Sequence, residues 1–178
     1  RVLSDFYGRV TLCERDELPD GPANRAAVPQ GRHVHMLMAR GAQEFETHFP
    51  GLLDDMVGEG VPILENRPDC IHFGAAGHVL GTAHRLQSEF TAYVPSRPQL
   101  EWQIRKRVLA IDNVEIIRAA VAEPRFEVTR EQVTGVQLES GAVLPADLVV
   151  DATGRGTRLP VWLQKWGYER PREDVVSV

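Results

Sequence analysis

The chain has 178 residues, 43% of them hydrophobic and 25% charged, and carries a net charge of −5. These proportions fit a soluble globular protein with one core, or one core and an appendage, and exclude fibrous and low-complexity classes. The acidic balance argues against a nucleic-acid partner, and no run approaches the roughly 18 apolar residues that would suggest a transmembrane segment.

The opening "RVLSDFYG" reads as the last turns of a helix stopped by Gly8. A short buried strand, Val10 to Glu14, follows and ends on an acid. Pro, Gly, Asn and Gln dominate from Asp20 to Gly31, which predicts a loop. His33 to Phe49 has helical spacing, with Val34, Leu37, Met38, Gly41, Phe45 and Phe49 on one face. "PGLLDDMVGEG" predicts a second, shorter helix ended by glycines. Between Cys70 and Val94 the texture changes to short strands separated by glycines: "CIHFG", "HVLGTA" and "FTAYV". "SRPQLEWQIRKRVLAID" returns to helical spacing through Leu100, Ile104, Val108 and Ile111. Its start is either a Ser96–Gln99 capping box or Pro98 as the first helical residue. "VEIIRAAVA", "RFEVT" and "VTGVQLESGAVL" read as an antiparallel set with a turn near Ser140 and Gly141. "DLVVDATGRGT" then predicts a fully apolar strand, Leu148 to Val150, running into a glycine loop. A last helix carries Leu159, Trp162, Leu163 and Trp166 on one stripe, and "DVVSV" looks like another strand beginning.

Several positions could carry chemistry. A carboxylate at a strand end, here Glu14, accepts two hydroxyl hydrogen bonds from one ribose with charge assistance. In dinucleotide folds that acid follows a glycine fingerprint by about 20 residues, which counts back to before residue 1. Gly154 and Gly156 allow a ligand to approach the backbone after the apolar strand, close to a helix start. Arg97 sits at the first helical turn, where the macrodipole disfavours a cation unless an anion offsets it. His33 and His35, spaced i, i+2, face different sides of a helix and do not make a metal pair. His72, His78 and His84 lack a cysteine or carboxylate at ligand spacing, so no metal is expected. "IRKRVL" reads as a solvated basic face. Cys13 and Cys70 lie far apart without CxxC spacing, so both are expected reduced and structural, in a cytoplasmic setting.

Taken in order, "VTLCERDELPDG", "VPQGRHVHMLMARG", "SRPQLEWQIRKRVL" and "DLVVDATGRGTRLPVWL" resemble FAD-dependent oxidoreductases of the aromatic-hydroxylase group. That group comprises class A flavoprotein monooxygenases and their epoxidase, halogenase and geranylgeranyl-reductase relatives. The resemblance implies an α/β fold with an incomplete Rossmann-like, glutathione-reductase-type FAD-binding sheet and an inserted antiparallel β segment. It makes 1–178 a partial FAD-binding domain without its first strand and glycine fingerprint, and 70–94 the start of a substrate-side β insertion. It further implies that Glu14 binds the ribose of the AMP half and that Arg15 lies against the adenine. Arg97 would contact the diphosphate or ribityl chain, and the backbone near Val121 would read the adenine edge. Asp151, Thr153 and Gly154 fall at the family's second glycine motif, and His33 and His35 at flavin-facing or substrate-facing positions. That motif reads "DATG" where NAD(P)H-using hydroxylases more often have Ala-Asp-Gly. The departure leans away from NAD(P)H as direct electron donor and toward reductase or epoxidase relatives.

The expected activity is a monooxygenase or flavin reductase acting on a bulky apolar or aromatic small molecule. No residue is assigned as catalytic acid or base, because the flavin carries the chemistry in this family. Two rivals are an adenine-nucleotide-binding module without redox activity and an α/β interaction domain that binds no cofactor. If the strand that normally lies between Val10–Glu14 and Leu148–Val150 is missing, those two must leave a gap or pair with each other. The 178 residues are therefore expected to belong to a larger polypeptide, or to fold poorly alone.

Overall fold

The computed structural model describes residues 1–26, 28–65, 68–70, 72–79, 81, 87 and 91–176. The chain is mixed α/β and divides into two compact units. One comprises Arg1–Leu12 with Asp16–Ile117, the other Cys13–Arg15 with Arg118–Val178.

In the first unit a single 3-10 turn, Val2–Asp5, leads to β1, Val10–Glu14. The strand has the predicted bounds but is not buried, and Leu12 is 42% exposed. The predicted helix from His33 begins late: α1 spans Ala39–His48. Residues before it are extended because the Leu37 amide donates to the Tyr93 carbonyl (2.7 Å) and the Tyr93 amide donates back (3.0 Å). Extended backbone alternates its side chains, so Leu37 enters the core while Val34, placed on the buried face by helical spacing, is 96% exposed. α2, Leu52–Gly58, starts after Gly51, whose φ of +80° suits glycine. The Glu46 carboxylate caps it, accepting from the Gly51 amide (2.5 Å) and the Leu53 amide (3.1 Å). Leu37, Ala42, Leu52, Met56, Val61 and Leu100 form the core, with Phe45, Phe49, Leu53, Tyr93 and Ile104 packed around it.

Short strands follow: β2 Ile63–Leu64, β3 Gly74–Ala75, β4 His78–Val79 and β5 Ala92–Tyr93. β2 pairs with β5 and β3 with β4, both antiparallel. His84, Ile71 of "CIHFG", Leu80, Thr82 and Ala83 of "HVLGTA" and Phe90 of "FTAYV" lie outside the described residues, while β5 falls within the predicted "FTAYV" strand. α3, Arg97–Leu109, uses both predicted starting devices: Pro98 lies in its first turn and the Ser96 hydroxyl accepts from the Gln99 amide at 3.2 Å. Its basic stretch is not a solvated face. Arg105 is 8% exposed and donates to the Pro19 carbonyl and to Glu101 (3.4 Å), and Arg107 reaches the Gly51 carbonyl (3.2 Å) and Asp55.

β6, Val114–Arg118, pairs with β1. The Val10 amide donates to the Asn113 carbonyl (2.8 Å) and the Ala119 amide to the Glu14 carbonyl (2.9 Å). Both partners advance together, so the pair is parallel, and β6 does not join the antiparallel set predicted for it.

That set, in the second unit, is β7 (Val121–Glu127), β8 (Gln132–Leu138) and β9 (Val143–Pro145), in the order β7-β8-β9. Gly141, at φ +88°, makes the predicted hairpin turn. α4, Leu159–Lys165, buries Trp162, and Trp166 at its end stacks on Phe126 of β7 with centroids 4.6 Å apart. The apolar strand expected at Leu148–Val150 has no ladder partner among the described residues, and Leu148 and Val150 are 47% and 61% exposed. Apolar composition alone cannot make a strand, since the backbone needs a neighbouring edge to bond. No helix among the described residues is long and apolar enough to cross a membrane.

Candidate functional site

β1 and β6 are parallel, so Glu14 stands at the carboxyl end of its strand, the end at which ligands bind in open α/β sheets. Glu14 is half-buried and Arg15 exposed. The bond from the Ala119 amide to the Glu14 carbonyl brings that strand end beside the turn that enters β7, two residues before Val121. Val121 is paired opposite Leu138. Glu14, Arg15 and Val121, singled out separately in the sequence, therefore gather at one end of the second unit.

The loop Asp151–Thr157 of that unit is tied by its own side-chain hydrogen bonds. Asp151 Oδ1 accepts from the Thr153 amide (2.9 Å) and the Thr153 hydroxyl (2.6 Å), while Oδ2 accepts from the Thr157 hydroxyl (2.5 Å). Thr157 Oγ1 in turn accepts from the Leu159 amide, 3.1 Å away, at the start of α4. Burial works to raise the Asp151 pKa. The hydrogen bonds from Thr153 and Thr157 outweigh it and hold the carboxyl below the usual aspartate range. Gly154 turns the loop at φ +66°, and among the described residues no atom beyond its chain neighbours lies within 4 Å of where a Cβ would stand, so its backbone is open to approach. Thr157 was not among the residues singled out. Its signal was a hydroxyl two positions before a helix start.

Arg97, His33 and His35 belong to the first unit. Arg97 opens α3, half-buried, and its Nε is buried with no hydrogen-bond partner among the described residues. An orphaned guanidinium nitrogen suits an anion, although the helix start adds little, since Pro98 has no amide hydrogen and the Gln99 amide is taken by the Ser96 hydroxyl. His33 ends a 3-10 turn, Pro29–Arg32, and is exposed, whereas His35 is half-buried. With Leu37 turned inward, Val34, Met36 and Met38 form an exposed apolar row beside them. A pocket of about 450 Å³ lies in the same unit between Asp16–Asp20 and Asn24–Ala26. Its walls carry Asp16, Glu17 and Asp20 against Arg25, which also pairs with Glu101 (3.0 Å), a balance that disfavours a phosphate there.

No family model matches the chain. A curated relative, Protein Rv3254 of Mycobacterium tuberculosis (strain ATCC 25618 / H37Rv), is 66% identical over 187 residues, a match that takes in 100% of this chain and 40% of the relative. The chain thus spans well under half the length of that relative. Among solved structures it is similar to the crystal structure of PqsL, a probable FAD-dependent monooxygenase from Pseudomonas aeruginosa, with a TM-score of 0.61 at 18% identity. That superposition covers 94% of this chain and 41% of PqsL. A mutant of PqsL gives a TM-score of 0.63 at 17% identity over the same shares. At such identities the likeness establishes a common fold.

Proposed function

We propose that the chain is the FAD-binding portion of an FAD-dependent oxidoreductase, a monooxygenase or flavin reductase acting on a bulky apolar or aromatic small molecule. The observation that carries this reading is Glu14 at the carboxyl end of a parallel strand, in a fold held in common with a probable FAD-dependent monooxygenase. Each unit carries residue types that suit parts of the cofactor: in the second a strand-end carboxylate for ribose and an open glycine turn at Gly154, and in the first the buried Arg97 Nε for a phosphate.

Bound FAD would supply the redox chemistry; the task of the protein is to hold it. Glu14 accepts the two ribose hydroxyls and Arg15 lies against the adenine. The backbone at Val121 reads the adenine edge, and Arg97 neutralises the diphosphate. The loop Asp151–Gly154 offers backbone to the cofactor. The exposed row of Val34, Met36 and Met38, flanked by His33 and His35, suits an apolar substrate. "DATG" in place of Ala-Asp-Gly leaves NAD(P)H a less favoured electron donor. The substrate-side β insertion begins within 70–94, of whose described residues 74–75, 78–79 and 92–93 are strands. Leu148 and Val150 are apolar and exposed, which fits a strand whose ladder partner lies in polypeptide outside these residues.

The test is purification of the full-length protein. A yellow protein that releases FAD on denaturation is expected, with Glu14→Ala weakening FAD binding at least about tenfold through loss of a charged hydrogen-bond acceptor. Colourless protein that binds ADP but no flavin would mark a nucleotide-binding module without redox activity. Absence of any adenine-nucleotide affinity would sink both readings.

A further inference from the structure

The four hydrogen bonds that link Asp151, Thr153, Thr157 and Leu159 raise the question of what the Asp151 carboxylate is for. It accepts three hydrogen bonds, all from its own loop. A carboxylate has about four lone-pair sites, so most of its capacity is spent inward. Its first oxygen shapes the backbone into the turn at Gly154, and its second is tied through Thr157 to the Leu159 amide at the first residue of α4. The Thr157 hydroxyl is a relay, donating to Asp151 and accepting from Leu159. It thereby clamps the strand side of the loop to the helix side.

We propose that Asp151 and Thr157 are positioning residues. They brace the backbone around Gly154 in the conformation that receives the ligand, and they do not contact the ligand themselves. This rests on the FAD-binding reading above, and it revises the place of Asp151 within that reading from cofactor contact to brace. Thr157 is drawn into the same role. An unbraced glycine turn samples many backbone states, so a ligand that selects one of them loses affinity in proportion to the population lost.

The test compares Thr157→Val, which keeps the shape and removes the hydroxyl, with Thr157→Ser, which restores it, and adds Asp151→Asn as a second variant. Two readouts are taken on the full-length protein. Amide hydrogen exchange at Thr153 and Leu159 reports the brace directly, and FAD titration reports its consequence. Thr157→Val is expected to speed exchange at both amides and to weaken FAD binding by about tenfold, the scale of one lost hydrogen bond to a charged group. Thr157→Ser is expected to behave as wild type in both. Unchanged exchange in Thr157→Val overturns the brace. Faster exchange with unchanged FAD affinity overturns the positioning role. Wild-type protein that binds no FAD instead overturns the proposed function, and the role of the brace falls with it.

Discussion

Replacing Gly135 with alanine would put a Cβ 2.2 Å from the Leu144 carbonyl oxygen, 2.9 Å from the Pro145 Cα and 3.0 Å from the Leu144 carbonyl carbon. All three are backbone atoms of or beside β9, so no side-chain rotation relieves the clash. Gly135 also holds φ at +146°, a conformation open to glycine and costly for alanine. It stands beside a register shift, since Arg125 pairs with Gly135 while Phe126 pairs with Val133 and leaves Thr134 unopposed. To admit the methyl group, β9 must move away from β8 and strain the pairs Gly135–Pro145, Val136–Leu144 and Gln137–Val143. The steric part costs about 1–3 kcal/mol and the backbone part a similar amount, so the expected loss is about 2–6 kcal/mol. With a urea m-value of about 2 kcal/mol/M, the midpoint falls by roughly 1–3 M. Tryptophan fluorescence reads the transition, because Trp166 stacks on Phe126 of the same sheet. Gly141→Ala is the control: φ there is also positive, at +88°, but nothing lies within 4 Å of the added Cβ. It is expected to lose only the backbone part, about 1 kcal/mol. A Gly135→Ala midpoint equal to that of wild type or of Gly141→Ala would refute the steric argument.

Glu46→Ala removes the acceptor for the Gly51 and Leu53 amides at the start of α2 and is expected to lower stability by about 1 kcal/mol in thermal or urea unfolding, with Glu46→Gln less affected. The depressed Asp151 pKa contributes stability that is present above its unfolded value and lost as pH falls through the lower folded value. The acid limb of the stability profile should therefore be shallower in Asp151→Asn, and the difference from wild type should stop changing with pH once Asp151 of the wild type is protonated in both the folded and the unfolded state. Glu115 accepts from Arg9 (2.9 Å) and Thr11 (2.7 Å), which hold its carboxyl below the usual range. Arg9→Gln should move the Glu115 titration upward in carboxyl NMR, and added salt should shrink the difference because the pair is exposed.

Features encoded by neighbours a few residues apart were legible. β1 has the predicted bounds, α2 occupies its predicted stretch, Ser96 caps α3, and Gly141 turns the hairpin between β8 and β9. Features that depend on a distant partner were not. Leu37 has helical spacing, yet its backbone is claimed by Tyr93 and becomes extended. Val114–Arg118 has the alternation of a hairpin strand, yet its amides meet β1 in parallel. Leu148–Val150 has the composition of a buried strand and finds no edge among the described residues. Arg105 and Arg107 looked solvated, but backbone carbonyls and carboxylates of other segments take up their donors.

The candidate site divides along the same line. Residue type and spacing alone marked Glu14, Arg97 and the glycine turn at Gly154, because a ribose, a phosphate and a close backbone approach each demand a particular local chemistry. Only the folded chain decided that Glu14 ends beside the turn into β7, that Arg97 Nε finds no partner among the described residues, and that the Asp151 carboxylate points back into its own loop. Caps and turns draw on bonds between near neighbours, which any window of sequence contains. Strand pairing and the direction of a carboxylate are set by which groups distant segments leave to be satisfied, and that is known only once the chain has closed on itself.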